Sequence, residues 1–224
     1  MSPPATTDDT LFAGAVRLRQ PAEGYRFNVD SVHLAKFFAA EAAPTTRRRV
    51  CDLGAGVGVI GLSVLHLDAA ETVVFVEREP LIASLCGTNI DLNGRSRCAK
   101  VIESAVSAFV DEERFDAVIC NPPYFAAGRV SPKPERRAAR SAPLRDFVVA
   151  TRRILAPRAS AFFVYTAHDL GRLMDELRQV GLEPKMLRFV HAKRDRVARI
   201  VLVRAQVAKP GGISVAAPLF EDER

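Results

Sequence analysis

The amino-acid sequence predicts an α/β protein built on a doubly wound, mostly parallel sheet of seven strands. From Arg49 onward, short apolar runs alternate with segments of helical periodicity, which is the pattern of successive strand–helix units. Gly54-Ala55-Gly56 follows the first apolar run directly, as in a tight turn from a strand into a helix. Only residues 191–197 separate the last two strands, too few for a parallel crossover, so these strands should form an antiparallel hairpin.

Each element is placed by its own local signal. Strands are expected where short apolar runs occur, at residues 50–53, 72–77, 99–102, 117–120, 160–166, 185–190 and 198–204. Helices are expected where apolar residues recur at helical spacing, at residues 60–67, 80–92, 144–155 and 170–180.

The chain divides into one main domain with short flanking segments. Residues 1–10, which are polar and include two prolines, are expected to be disordered. Residues 11–48 are expected to form an N-terminal flap and a helix, with Asp30 or Ser31 as the helix cap. Residues 49–219 then form the main domain, and residues 220–224 form a frayed tail.

Composition argues against several classes of protein. No apolar run reaches the roughly 18 residues of a membrane span, and the N-terminus lacks the features of a signal peptide. This predicts a soluble cytoplasmic protein with no membrane partner. The cysteines and histidines show no metal-ligand spacing, so no metal site is expected. We interpret the cysteines as small core or surface residues: Cys51, Cys86, Cys98 and Cys120.

Positive charge is concentrated in one segment of the chain. The formal net charge is +6, and residues 121–160 alone carry nine Arg or Lys residues against two acidic ones. Such a segment can bind a polyanion, or it can be only a solvated loop and helix face. The run Arg47-Arg48-Arg49 is interpreted more simply, as a solvated lead into the first strand.

Residues 50–61 have the pattern of a loop that binds a nucleotide-like cofactor. An apolar strand ends in Gly54-Ala55-Gly56-Val57-Gly58, and a helical segment follows. Glycines let the backbone approach a ligand closely, and a helix N-terminus favours anionic groups. Gly56, Gly58 and Gly61 also fit the G-x-G-x-x-G spacing of dinucleotide sites, so that class of cofactor stays open.

A second motif, Asn121-Pro122-Pro123-Tyr124, follows the fourth strand of the main domain. It suits the activation of an exocyclic amino group, which is a poor nucleophile because its lone pair is delocalised. The side-chain oxygen of Asn121 and the backbone carbonyl of Pro122 could each accept one N–H and so turn the lone pair toward an electrophile. Tyr124 offers a face on which a planar substrate can stack.

The pattern Asp52-x-Gly54-x-Gly56 resembles the first motif of class I S-adenosylmethionine (SAM)-dependent methyltransferases. The resemblance implies a Rossmann-like class I methyltransferase fold with SAM as the cofactor, and it implies that Glu77 binds the ribose hydroxyls. Ala105 departs from the family, which often has an acidic residue there, and Ser104 or the backbone can substitute. The residues expected to bind the cofactor are Asp30, Asp52, Gly54, Ala55, Gly56, Glu77 and Asn121.

The second motif is similar to the Asn-Pro-Pro-Tyr motif of amino methyltransferases. These enzymes act on adenine N6, guanine N2, cytosine N4 or the side-chain amide of glutamine. The resemblance implies that Asn121, Pro122 and Tyr124 are catalytic.

Over residues 11–219 the chain resembles the bacterial tRNA adenine-N6 methyltransferase family, with landmarks at residues 24–31 and at Pro218-Leu219. This implies methylation of adenine N6 near the anticodon of a tRNA. Ala139-Arg140 is followed by Ser141-Ala142 where the family often has His-Glu. Glutamine-N5 methylation of a protein, or a noncatalytic SAM- or RNA-binding module, stays open as an alternative. The basic residues expected to bind RNA are Arg129, Lys133, Arg136, Arg137 and Arg140.

Overall fold

The structure, a computed structural model, describes residues 5–23, 29–42, 48–123 and 144–222. Its strands are β1 (Thr6–Leu11), β2 (Val16–Pro21), β3 (Arg49–Leu53), β4 (Thr72–Glu77), β5 (Ala99–Glu103), β6 (Phe115–Cys120), β7 (Leu155–Thr166), β8 (Glu183–His191), β9 (Ala198–Gln206), β10 (Ser214–Val215) and β11 (Leu219–Phe220). Its α-helices are α1 (Val29–Glu41), α2 (Val59–His66), α3 (Pro80–Leu92), α4 (Leu144–Ile154) and α5 (Leu170–Gln179). None of the helices in these ranges is long and apolar enough to cross a membrane.

The main sheet confirms the predicted fold class. Its longer strands lie in the order β8-β9-β7-β6-β3-β4-β5, and the neighbours from β7 to β5 are parallel. β9 runs antiparallel to both β7 and β8, so the predicted C-terminal hairpin is present. Two short strands, β10 and β11, extend the sheet by pairing in parallel with β8.

Two apolar layers cover the two faces of the sheet. Helices α1, α2 and α3 and strand β2 contribute side chains to one buried cluster, and α4 and α5 contribute to the other. Successive strand residues alternate between the layers: Val50 packs into the first cluster and Cys51 into the second. The interpretation of the cysteines as small core or surface residues is confirmed for Cys51, Cys86 and Cys120, which are buried.

The structure corrects the prediction of disorder over residues 1–10 for the part that it describes; residues 1–4 lie outside the described residues. Thr6–Leu11 forms β1, which pairs antiparallel with β2. Polar pairs cross this hairpin, since Arg19 Nε donates to Asp8 and Gln20 Nε2 donates to Asp9, at 2.9 and 2.6 Å. The side chains of Val16 and Leu18 anchor β2 in the core. The segment has the polar composition of a disordered tail. Its order comes from its contacts with β2, so the composition alone predicts the wrong state.

The C-terminal segment corrects the prediction of a frayed tail over residues 220–224. β11 ends at Phe220, and the Glu221 N–H then donates to the His191 carbonyl at 3.0 Å. The Glu221 side chain forms an ion pair with Arg199 at 2.8 Å. These partners come from β8 and β9, so pairing with distant strands holds Phe220 and Glu221; residues 223 and 224 lie outside the described residues.

Two local predictions are also wrong. Asp30 and Ser31 are not the helix cap, because α1 already includes Val29 and both residues lie inside its first turn. Arg48 and Arg49 are not solvated. Arg48 donates to the Ala69 carbonyl at 2.7 Å, and the Arg49 guanidinium lies 4.0 Å from the Phe115 ring centroid.

β7 begins at Leu155 instead of residue 160. The register between β6 and β7 shifts ahead of Ser160, and Arg158 has a φ of +67°. The added residues are therefore an irregular extension that precedes the regular pairing.

Candidate active site

The cofactor loop, residues 54–58, is held by the backbone at the carboxyl end of β3. The N–H groups of Gly54 and Ala55 both donate to the Val76 carbonyl at 2.9 Å, which ties the loop to the end of β4. Gly54, Gly56 and Gly58 have φ values of +77°, +57° and +91°, which other residues rarely adopt. The backbone conformation of the loop therefore favours glycine at these three positions.

The glycines differ in what a side chain would meet. A Cβ at Gly54 would lie 2.6 Å from Phe147 of α4, and one at Gly61 would collide with Phe75 of β4. These glycines allow close packing of the loop and of α2 against their neighbours. A Cβ at Gly56 meets nothing within 4 Å, so Gly56 faces open space among the described residues. A ligand can approach the loop on this side.

Asp52 shapes the loop from inside. It is fully buried, and its Oδ2 accepts a hydrogen bond from the Gly61 N–H at 2.8 Å. Its other oxygen, Oδ1, is buried without a hydrogen-bond partner in the described part of the chain. Burial raises the pKa of Asp52 to about 7, opposed by the Gly61 N–H and reinforced by the charge of Glu77.

Glu77 lies beside the loop, as the sequence predicts for a residue that closes β4. Its Oε2 accepts from the Gly56 N–H at 2.9 Å, and its Oε1 accepts from the N–H groups of Arg78 and Glu79 at 2.8 and 3.0 Å. The carboxylate is therefore oriented next to the open side of the loop at Gly56.

The end of β5 adjoins Glu77. The Ser104 N–H donates to the Glu77 carbonyl at 2.9 Å, and the Ser104 hydroxyl donates to the Ala105 carbonyl at 3.1 Å. Arg153 of α4 donates to three carbonyls of the turn that follows: Val106, Ser107 and Phe109. This role could not be predicted from the sequence, because nothing in a basic run indicates which carbonyl groups an arginine will contact in the fold.

Asn121 stands directly beside the cofactor loop. Leu53 pairs with Cys120 between β3 and β6, so the next residues of the two strands, Gly54 and Asn121, emerge side by side. Asn121 Nδ2 donates to the Ser31 hydroxyl at 3.4 Å. Pro122 is buried and follows in the same segment. The predicted site residues Tyr124, Arg129, Lys133, Arg136, Arg137 and Arg140 lie outside the described residues.

An ion-pair cluster, formed by Asp30, His33, Arg199 and Glu221, adjoins this end of α1; Asp30 and His33 are buried, whereas the Arg199 side chain is 38% exposed. Arg199 Nη2 lies 2.6 Å from Asp30 Oδ1 and 2.8 Å from Glu221 Oε1, which also contacts His33 Nε2 at 3.1 Å. Burial alone would lower the pKa of Arg199, but hydrogen bonds to both carboxylates raise it. Burial would raise the pKa of Glu221, and Arg199 and His33 lower it. The Asp30 carboxylate thus faces Arg199, and its predicted contact with a cofactor stays a prediction.

Asn89 is a second residue that the sequence analysis missed. It is fully buried in α3, and its Nδ2 donates to the carbonyls of Arg19 and Val57, both at 2.9 Å. Its Oδ1 accepts from the Arg19 N–H at 2.6 Å. Asn93, one helical turn later, pairs with the N–H and carbonyl of Arg17 in the same way. The two asparagines join β2 to α3, and Asn89 also reaches the cofactor loop.

Basic residues near the site fall into two groups. Arg145 and Arg153 are engaged within the protein: Arg145 donates to Glu176 at 3.1 Å, and Arg153 binds the carbonyls described above. The β8–β9 turn instead exposes Lys193, Arg194 and Arg196 at the carboxyl edge of the sheet. Part of the basic segment 121–160 is therefore structural, and the turn adds an exposed cationic surface at the sheet edge where Asn121 also lies.

Comparison with known proteins identifies a family and one curated relative. Residues 27–168, more than half of the chain, match the family model of the methyltransferase small domain. The tRNA1(Val) (adenine(37)-N6)-methyltransferase of Dyadobacter fermentans is 26% identical over 166 residues, which cover 71% of this chain and 69% of the relative.

Solved structures share the fold. The T. thermophilus 16S rRNA N2 G1207 methyltransferase, in complex with AdoMet and guanosine, aligns with a TM-score of 0.66 at 19% identity and covers 91% of this chain and 50% of its own. The M. jannaschii tRNA m1G37 methyltransferase aligns with a TM-score of 0.67 at 18% identity, covering 93% and 58%. At these identities the likeness shows the class I methyltransferase fold.

Proposed function

The chain belongs to the methyltransferase small domain family, and from this premise we propose that it methylates adenine N6 in a tRNA near the anticodon. The observation that carries the proposal is the placement of Asn121 beside Gly54 at adjoining strand ends. A cofactor held by the glycine loop and an amino group held by Asn121 would then meet at one point of the sheet edge.

The cofactor of this family is SAM, whose sulfonium supplies an electrophilic methyl group. The loop fits it: Gly56 faces open space, and the Glu77 carboxylate is held beside Gly56 with oxygens suited to ribose hydroxyls. We assign cofactor contacts to Gly54, Ala55, Gly56 and Glu77. Asp52 contributes from beneath the loop, through its hydrogen bond to Gly61. Calorimetry should detect binding of SAM, and binding of NAD without SAM would contradict the assignment.

Asn121 and Pro122 orient the acceptor. The Asn121 Oδ1 and the Pro122 carbonyl each accept an N–H of the amino group, which turns its lone pair toward the methyl carbon. Tyr124 stacks on the base. No strong general base is needed, because the methylated ammonium loses its proton to solvent readily.

Chemistry and charge favour RNA as the substrate. The curated relative is named for tRNA adenine-N6 methylation. Exposed cations of the β8–β9 turn lie at the same sheet edge as Asn121, and the basic residues 129–140 follow the catalytic motif directly in sequence. Phosphates of an RNA chain that enters the site would meet these charges, and an anticodon loop already exposes unstacked bases.

Two alternatives share parts of this site. Glutamine-N5 methylation of a protein uses the same pair of acceptors, and a noncatalytic module would bind SAM or RNA without turnover. The decisive experiment incubates the purified protein and labelled SAM with tRNA from cells that lack its gene. N6-methyladenosine should then be found by mass spectrometry of the nucleosides. A parallel incubation with protein extract from the same cells tests the alternatives. Label in a protein and none in tRNA supports glutamine-N5 methylation, and SAM binding without any methyl transfer supports the noncatalytic module.

A further inference from the structure

The role proposed for Asn121 depends on which way its side-chain amide faces. A carboxamide has an acceptor oxygen on one side and a donor NH2 group on the other, and only the oxygen can accept an N–H from a substrate amino group. Rotation of the amide by half a turn would place two donors against each other. A residue that holds the NH2 group away from the substrate therefore bears directly on turnover.

Ser31 occupies the position that such a residue needs. The Asn121 NH2 group donates to the Ser31 hydroxyl at 3.4 Å, and Ser31 is 4% exposed. Among the described residues, Ser31 is the hydrogen-bond partner of this carboxamide. The bond places Nδ2 toward α1 and leaves Oδ1 on the opposite side of the amide.

The orientation of α1 around Ser31 is fixed on two sides. Leu34 and Ala35 are buried in the apolar layer over the sheet. On another side, Asp30 is held by Arg199, and His33 is held by Glu221, at 2.6 and 3.1 Å. Because Arg199 also contacts Glu221, residues on both sides of Ser31 are tied to the same two partners. A rotation or slide of the first turn of α1 would therefore break these contacts and leave the buried Asp30 carboxylate without Arg199.

We propose that Ser31 is a positioning residue that anchors the Asn121 carboxamide beside the substrate amino group, and that the ion-pair cluster holds Ser31 in place. Because a hydroxyl both donates and accepts, Ser31 fixes the position of the amide, and the substrate N–H selects its oxygen. This inference rests on the proposed function of Asn121. It assigns a role in turnover to the C-terminal segment, because Glu221 lies 188 residues from His33 in the chain and yet secures the same turn of helix.

Kinetic coupling provides the first test. Ser31→Ala should slow methyl transfer about fivefold to tenfold at saturating substrates, the effect of losing one hydrogen bond, while KM for SAM stays unchanged. Ser31→Thr keeps the hydroxyl and should keep most of the rate. Ser63→Ala is the matched control, because it removes another buried hydroxyl, one that donates to the Val59 carbonyl in α2. It should leave the rate intact.

The decisive comparison places Ser31→Ala in an Asn121→Ala background. If Ser31 acts through the Asn121 carboxamide, the second substitution causes no further loss of rate. An equal loss in both backgrounds would show that Ser31 acts by another route and would overturn the proposal. Arg199→Gln should lower the rate in the same non-additive way, and Arg199→Lys should lower it less.

A second measurement does not depend on the substrate. The Asn121 side-chain NH2 resonance, assigned by its loss in Asn121→Asp, should shift in Ser31→Ala and Arg199→Gln and stay in place in Ser63→Ala. An unchanged resonance in Ser31→Ala would refute the positioning role. If the wild-type protein fails to methylate tRNA while the resonance shifts as expected, the substrate assignment is wrong and the contact between Ser31 and Asn121 stands.

Discussion

The cofactor loop and the first turn of α1 lie at the same edge of the sheet, but different kinds of contact hold them. Residues 54–58 are bonded mainly by backbone groups to β4, the next strand of the chain. The first turn of α1 is held by the side chain of Asn121, which follows β6, and by side chains from β9 and from the C-terminal segment. The first region is local in sequence, and the second is assembled from distant parts of the chain.

This difference assigns the two regions different functional roles. Backbone bonds depend little on side-chain identity, so what the loop needs from its sequence is glycine at the positions with positive φ and where a ligand or a neighbouring side chain needs the space. The first turn of α1 depends on particular side chains at each contact. We therefore expect changes in the loop to alter cofactor affinity, and changes around Asn121 to alter turnover.

Asn121→Ala should cause the largest effect. Loss of the acceptor that orients the amino group should slow methyl transfer by roughly two or more orders of magnitude, with SAM affinity nearly unchanged. Single-turnover kinetics and calorimetry measure the two quantities separately. If Asn121→Ala also lowered SAM affinity by a similar factor, the two regions would not have separate roles in turnover and cofactor binding.

Glu77→Gln should act on the cofactor side alone. The substitution replaces a carboxylate that binds hydroxyls with a neutral amide. It should lower SAM affinity roughly tenfold or more and preserve the rate at saturating SAM. Glu79→Gln is the control: Glu79 is exposed, and its side chain pairs with the neighbouring Arg78. Equal effects of the two substitutions on the dissociation constant would remove Glu77 from the cofactor site.

Replacing Arg136, Arg137 and Arg140 together with alanine should weaken RNA binding and leave SAM binding unchanged. Neutralisation of about three to five phosphates gives log affinity a slope of roughly −2 to −4 against log salt, and the triple variant should flatten it. The same removal of charge at Arg97, Lys100 and Arg114, three exposed residues of the main domain, is the control. Wild-type binding by the Arg136 triple variant at physiological salt would make this segment a solvated face.

Asn89→Ala should weaken SAM binding several-fold, because it frees the Val57 carbonyl in the cofactor loop and leaves buried groups unpaired. Asn93→Ala removes the equivalent bonds to Arg17 without touching the loop. The melting temperature should fall for both variants. Calorimetry should distinguish them, because only Asn89→Ala should weaken SAM binding. If Asn93→Ala lowers SAM affinity equally, the hairpin as a whole supports the loop.

The pH dependence of stability should report the buried Asp52. Its pKa of about 7 in the folded state exceeds the ordinary value of 3.8, so the folded state keeps a proton that the unfolded state releases. The stabilisation from this group is full below pH 4 and is lost as the pH rises to 7, by up to about 4 kcal/mol. Asp52→Asn should remove that loss. Urea unfolding at pH 5 and pH 8 measures it, and parallel profiles of variant and parent would contradict the assignment.

Sequence reasoning identified the elements whose signals are local. The order of strands and helices, the glycine turn after β3 and the C-terminal hairpin each follow from spacing within a few residues. Glu77 and Asn121 were identified because each closes an apolar strand. The hairpin of β1 and β2 was missed because its polar residues resemble a disordered segment. The contact of β2 with α3, which orders the hairpin, is not visible in the sequence.

The sequence by itself determined the class of fold and the two motifs, because hydrophobic periodicity and glycine spacing act within single elements. Only the tertiary structure decided which side chains meet around those motifs. Ser31 reaches Asn121 across 90 positions, and Arg199 reaches Asp30 from another strand. Asp30 and Ser31 are buried in these contacts, and that burial exists only once the layers of the fold have packed together.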